Sequence, residues 1–209
     1  MSAAGVEPTV FVVDDDDAVR HSVCVLLRSV GLAAEPFDSA AALLAAMPPA
    51  GPACLVLDIR MPRMSGLELQ RTLAERRIEL PIIFITGHGD VPMAVQAMKN
   101  GAVDFIEKPF NDQVLIDRVQ QALALAEQRR ASAEELSEVR ARLVRLTARE
   151  REVFNRIVRG QANKVIAIDL GLSERTVEIH RAHVMEKTGA GSVADLVRMA
   201  LVESGQSPA

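Results

Sequence analysis

Residues 10–17 read VFVVDDDD, four apolar residues that stop on acid. The run is too short for a helix and apolar on both faces, the pattern of a strand buried within a parallel sheet. The same form returns in CLVLD at 54–58 and PIIFITG at 81–87, and in shorter form in VDFIEKP at 103–109. A further strand is expected at 33–37. Helical stretches fill the gaps at 18–30, 39–46, 66–77, 91–100 and 111–126. Gly31, Pro48-Pro49, Gly51-Pro52, Gly87 and Gly89 mark the joins. Five strands alternating with five helices predict an α/β doubly wound five-stranded parallel sheet.

The chain has 209 residues, 49% of them hydrophobic, with six Phe and neither Trp nor Tyr, so its cores must be aliphatic. Cys24 and Cys54 sit in apolar runs and read as buried free thiols of a reducing compartment. The N-terminal MSAAGVEPT lacks the charged and apolar regions of a signal peptide, and no run is long enough to span a bilayer. A cytoplasmic protein with no membrane partner is expected. Charge is uneven: residues 1–124 carry 10 Lys/Arg against 16 Asp/Glu, whereas residues 142–209 carry 11 against 8. That asymmetry points any nucleic-acid partner toward the C-terminal part.

Residues 111–146 contain no Gly or Pro. Leu115, Val119, Ala122 and Ala126, then Leu136, Val139, Leu143 and Leu146, keep helical spacing, which predicts a long helix leaving the first domain. A parallel helical pair between subunits and a lone solvated helix are both open readings. Beyond it, four helices are expected. Thr147 and Glu150 form a capping box, Gly160 and Gly171 close the first two helices, and Ser173 and Ser192 open the last two. A short helix, a Gly turn and a capped second helix make a helix-turn-helix. The expected plan is a domain at 8–126, a helical linker at 127–143 and an all-α four-helix domain at 144–207.

The polar residues at the strand ends form one chemical set. Asp14 and Asp15 end the first strand, Asp58 the third and Thr86 the fourth, and Lys108 follows the fifth. In a doubly wound sheet these ends share a crevice. Three carboxylates there repel one another unless a cation intervenes, and a hard ion such as Mg²⁺ suits an oxygen-only set. Such a set can clamp a phosphoryl group, with Lys108 and Thr86 meeting its oxygens. Asp16 and Asp17 read as helix-start residues, His21 as outward-facing, and His88 as a surface loop residue.

VVDDDDAVR at 12–20, LVLDIRMPRMSG at 55–66, FITGHGD at 84–90 and DFIEKPF at 104–110 together resemble the receiver domain of two-component response regulators. The resemblance implies that Asp58 is the phosphoacceptor and that Asp14, Asp15, Asp58 and the Arg60 carbonyl hold Mg²⁺. It further implies that Thr86 and Lys108 contact the phosphoryl group and that Phe105 is a switch aromatic. A sensor histidine kinase is the implied donor, and Val95, Lys99 and Phe105 match positions through which the family dimerises when phosphorylated.

LTAREREV at 146–153, NKVIA at 163–167 and SERTVEIHR at 173–181 resemble the LuxR-type helix-turn-helix. With TGHGDVPMAV in the first domain, the pair resembles the FixJ-like subfamily. On the expected recognition helix, Val177, His180, Val184 and Thr188 share one face, and Glu178, Ile179, Ala182 and His183 share the other. The outer face can enter a major groove, with Glu178 accepting from cytosine and Ile179 touching a thymine methyl. Arg175 and Arg181 can take guanine or phosphate, while Lys164, Thr176 and Lys187 read as backbone contacts. Promoter DNA is thus the expected partner, with RNA polymerase a further contact.

Two other readings use the same residues. Asp15, Asp17 and Val19 fit the DxDx[TV] signature of haloacid-dehalogenase-type phosphatases, but Asp58 and the Lys108-Pro109 pair occupy places that chemistry does not use. A small-molecule-sensing LuxR-type regulator would need an aromatic-lined pocket, which a chain without Trp or Tyr lines poorly.

Overall fold

Alternation along each strand sends successive side chains to opposite faces, so a strand apolar throughout needs helices on both sides. The computed structural model describes residues 7–87 and 91–205. His88, expected on the surface, and Gly89, expected to mark a join, lie outside the described residues. The chain divides into two compact units, residues 1–130 and 131–209.

In the first unit, β1 (Thr9–Val13), β2 (Ala33–Phe37), β3 (Ala53–Asp58), β4 (Ile82–Thr86) and β5 (Asp104–Glu107) pair in parallel in the order β2-β1-β3-β4-β5. Val10, Val12, Cys54, Val56, Ile83 and Ile85 face α1 (Asp17–Ser29) and the start of α5 (Asp112–Leu143), packing on Leu27, Leu115 and Val119. Phe11, Val13, Leu55, Leu57 and Phe84 face the opposite way, onto Leu43 of α2 (Ala40–Ala46), Leu69 and Leu73 of α3 (Gly66–Glu75) and Ala97 of α4 (Val91–Lys99). The expected doubly wound sheet is therefore present. Cys24 and Cys54 are buried free thiols.

Local signals set the helix starts. Asp16, not Asp17, caps α1, its carboxylate accepting from the amides of Ala18 and Val19. Ser65 and Glu68 close a capping box at α3. Gly66 is required by close approach: a Cβ there would lie 2.4 Å from the Asp58 carbonyl oxygen. Gln70 donates through Nε2 to the Ala97 and Asn100 carbonyls, tying α3 to the end of α4.

The second unit contains α6 (Ala148–Ile157), α7 (Asn163–Leu170), α8 (Glu174–Thr188) and α9 (Val193–Glu203). Val153, Phe154, Ile157, Ile166, Val177, Val184, Leu196 and Met199 make its core. The capping boxes at Thr147–Glu150 and Ser192–Asp195 are formed, and Ser173 caps α8. Gly171 closes α7 with φ 64°, the left-handed conformation that lets the chain turn straight into Ser173. Residues 127–135 of α5 are exposed, while Val139 and Leu143 enter the core of the second unit. Leu146 packs partly buried against the same core, whereas Leu115, Val119 and Ala122 belong to the core of the first unit. No helix among the described residues is long and apolar enough to cross a membrane.

Candidate functional site

A parallel sheet brings all its carboxyl ends to one edge, so residues far apart in sequence meet there. The Lys108 ammonium joins Asp14 Oδ2 at 2.7 Å and Asp58 Oδ1 at 2.8 Å. Asp14 is 1% and Asp58 6% exposed. The Arg60 amide donates to Asp58 Oδ2 at 2.7 Å, and the Arg20 guanidinium to the Asp14 carbonyl at 2.7 Å. Thr86 is buried at the end of β4, and its carbonyl accepts from the Lys108 amide at 2.7 Å.

Electrostatics follow from this packing. Burial pushes the Asp58 carboxyl above its ordinary value; the hydrogen bond and charge of Lys108 oppose this, and the Asp14 charge adds to it. Burial also acts to lower Lys108, but its bonds to Asp14 and Asp58 outweigh that and leave it raised. Asp58 is therefore a partly desolvated carboxylate held beside a firmly protonated lysine.

The expected trio of carboxylates is only partly assembled. Asp14 and Asp58 meet at Lys108, whereas Asp15 is exposed, because adjacent residues leaving a strand project to opposite sides. Among the described residues no three His, Cys, Asp or Glu side chains form a ready-made metal group. The donor set still fits a hard cation that keeps several waters: two buried carboxylates already converge on one positive charge, with a third carboxylate next in sequence. Phe105 is half-buried and packs against the α4 side of the sheet. Val95 is 46% exposed on α4, and Lys99 stands exposed in its last turn.

On α8, Val177, Val184 and Thr188 are buried while Glu178, Ile179, Ala182 and His183 are exposed, as the helical spacing predicts. Arg175 is exposed and reaches Glu178 at 3.2 Å. Lys164 is exposed, and Thr176 bonds the Ser173 hydroxyl at 2.8 Å. Arg181 is half-buried. Lys187, expected as a DNA backbone contact, has its ammonium paired with Glu150. The Thr147–Glu150 spacing revealed a cap, but nothing local revealed that the same carboxylate binds α8.

Residues 10–120 match the response regulator receiver domain, and residues 144–200 match the bacterial regulatory proteins of the luxR family. This chain belongs to the response regulators. The regulator is 50% identical over 200 residues to the transcriptional regulatory protein FixJ of Azorhizobium caulinodans, covering 96% of this chain and 94% of that one. It is 51% identical over 193 residues to FixJ of Rhizobium meliloti, covering 92% and 95%. Among solved structures it is similar to the response regulator StyR, with TM-score 0.84 at 46% identity over 93% of this chain and 98% of that one. Full-length FixJ from B. japonicum gives TM-score 0.58 at 42% identity over 95% and 98%. The regulator thus joins a receiver domain to a LuxR-type DNA-binding domain, as the two motif sets predicted.

Proposed function

We propose that this response regulator is a cytoplasmic transcription factor switched by phosphoryl transfer from a sensor histidine kinase to Asp58. The observation that carries the reading is the Lys108 ammonium bonded to both Asp14 and Asp58 at the strand ends, in a chain that also presents the exposed face of α8. An Asp58 carboxylate oxygen attacks phosphorus, the bond from phosphorus to the donor nitrogen breaks, and an acyl phosphate forms. The leaving histidine takes up a proton. Lys108 neutralises the arriving phosphoryl oxygens and the Thr86 hydroxyl donates to one of them. Asp14, Asp15, Asp58 and the Arg60 carbonyl would hold Mg²⁺, which when bound supplies charge neutralisation at the transferring group. The same residues let the receiver promote its own phosphotransfer and slow hydrolysis.

Movement of Thr86 toward the phosphoryl group makes room for Phe105 to turn inward, repacking α4 and β5. That face, with Val95, Lys99 and Phe105, then pairs two copies of the chain. Val95→Asp should abolish phosphorylation-dependent dimerisation while leaving phosphoryl uptake intact, since Val95 lies away from the strand ends. Sedimentation after treatment with acetyl phosphate checks this; an undiminished dimer would place the interface elsewhere.

Paired recognition helices would occupy two half-sites of promoter DNA, where RNA polymerase is a further partner. Acetyl phosphate with Mg²⁺ should raise affinity for an operator selected from random DNA, and equal binding with and without the donor would sink the reading. On that operator, Ile179→Ala should cost about 1–3 kcal/mol with little change on scrambled DNA. Lys164→Ala should weaken both DNAs alike and lower the salt slope by about one unit. The same titration at two salt concentrations measures both.

A further inference from the structure

Glu150 is a carboxylate only 3% exposed, an expensive place for a charge unless it is paired. It is paired heavily. Its Oε2 accepts from the Thr147 amide at 2.8 Å, closing the capping box at the start of α6. The Lys187 ammonium donates to Oε1 at 2.8 Å and to Oε2 at 2.6 Å. His183 Nδ1 lies 3.6 Å from Oε1. Lys187 and His183 are four residues apart, so they share one side of α8. One carboxylate at the head of α6 therefore holds the last turn of the recognition helix through Lys187. The Lys187 and Thr147 hydrogen bonds hold the Glu150 carboxyl down at about 2, the Lys187 bond contributing most.

The geometry has two consequences for a DNA reader. The core side of α8, through Val177, Val184 and Thr188, already limits how the helix can sit, and the Glu150–Lys187 bonds add a polar tie to α6 near its C-terminal end. The Lys187 side chain, 32% exposed, has its charge matched within the protein.

We propose that Glu150 is a positioning residue for DNA recognition, which orients the groove-facing row of α8 and withholds the charge of Lys187 from the DNA backbone. The assignment rests on the DNA-binding reading and assigns Lys187 a role opposite to that of Lys164.

The test is a titration of the phosphorylated full chain with the selected operator and with scrambled DNA at several salt concentrations. Glu150→Gln frees Lys187 to meet a phosphate. Affinity for scrambled DNA should rise about fivefold, the salt slope should steepen by about one unit, and the operator-to-scrambled ratio should fall. Lys187→Met should lower that ratio with the slope unchanged, and the double variant should return the slope to the wild-type value. A slope lowered by about one unit in Lys187→Met, as in Lys164→Ala, would overturn the assignment. So would an unchanged slope and ratio in Glu150→Gln. If Glu150→Gln fails to fold, Lys187→Met decides alone. Wild type with no preference for any operator would refute the DNA reading itself, and this assignment with it.

Discussion

Asp58→Asn ends covalent phosphoryl uptake and raises the stability of the receiver unit. The first effect is complete, because the amide oxygen cannot serve as the attacking carboxylate and no other residue occupies its place at the end of β3. Intact mass after incubation with acetyl phosphate and Mg²⁺ reads it directly. Labelling that persisted in this variant and vanished in Asp15→Asn would favour the phosphatase reading instead. The second effect follows from the raised carboxyl of Asp58, whose chief cause is burial. A carboxyl with a raised folded-state value favours the fold when protonated, and that advantage is lost as pH rises through the raised value. At neutral pH the Asp58 charge therefore works against folding, and a neutral amide of the same shape relieves it. Lys108 keeps Asp14 as a partner, so no lysine charge is stranded. A melting temperature higher by a few degrees at neutral pH is expected, with the difference vanishing on acidification. A lower melting temperature would mean that the Asp58–Lys108 bond outweighs the burial of Asp58.

Lys108→Ala should do the reverse to stability and slow phosphotransfer. It leaves Asp14 and Asp58 facing each other in a buried crevice without their shared cation. Removing one partner of a buried pair costs about 3–5 kcal/mol, and the 20% exposure of the Lys108 side chain places this case near the lower end. Chemical denaturation measures the loss. Adding Asp58→Asn to Lys108→Ala should recover much of it, since only one carboxylate then remains. The rate of acetyl-phosphate labelling should fall about 10²–10³-fold, the loss typical of removing one group that meets developing oxyanion charge. Unchanged labelling would show that Lys108 serves only to hold the resting crevice together.

Much of this regulator is legible in its sequence because its signals are local. The apolar run at 10–13 stops on acid, and the same form at 54–58 and 81–87 announces strands covered on both faces. Asp16, Ser65, Thr147, Ser173 and Ser192 cap helices within three residues of themselves, and Gly171 turns the chain within one. The inner and outer sides of α8 follow from helical spacing alone.

Other features depend on which distant residues come into contact. The sheet order β2-β1-β3-β4-β5, which sets Asp14 beside Asp58, is a product of packing. Alternation at the end of β1 buried Asp14 beside Asp58 and Lys108 and left Asp15 exposed, a division that spacing alone does not show. Val139 and Leu143, with the spacing of a seam between subunits, went instead to the core of the second unit, because Phe154 and its neighbours offered apolar surface to cover. Lys187 looked like one more basic residue on a recognition helix until α6 supplied Glu150. The sequence by itself determined the elements, their caps, the two families of motif and the residue types at each strand end. Only the tertiary structure decided which charges are matched inside the protein and which remain for a phosphoryl group or DNA, because a buried charge takes its partner from whatever the fold sets within hydrogen-bond reach.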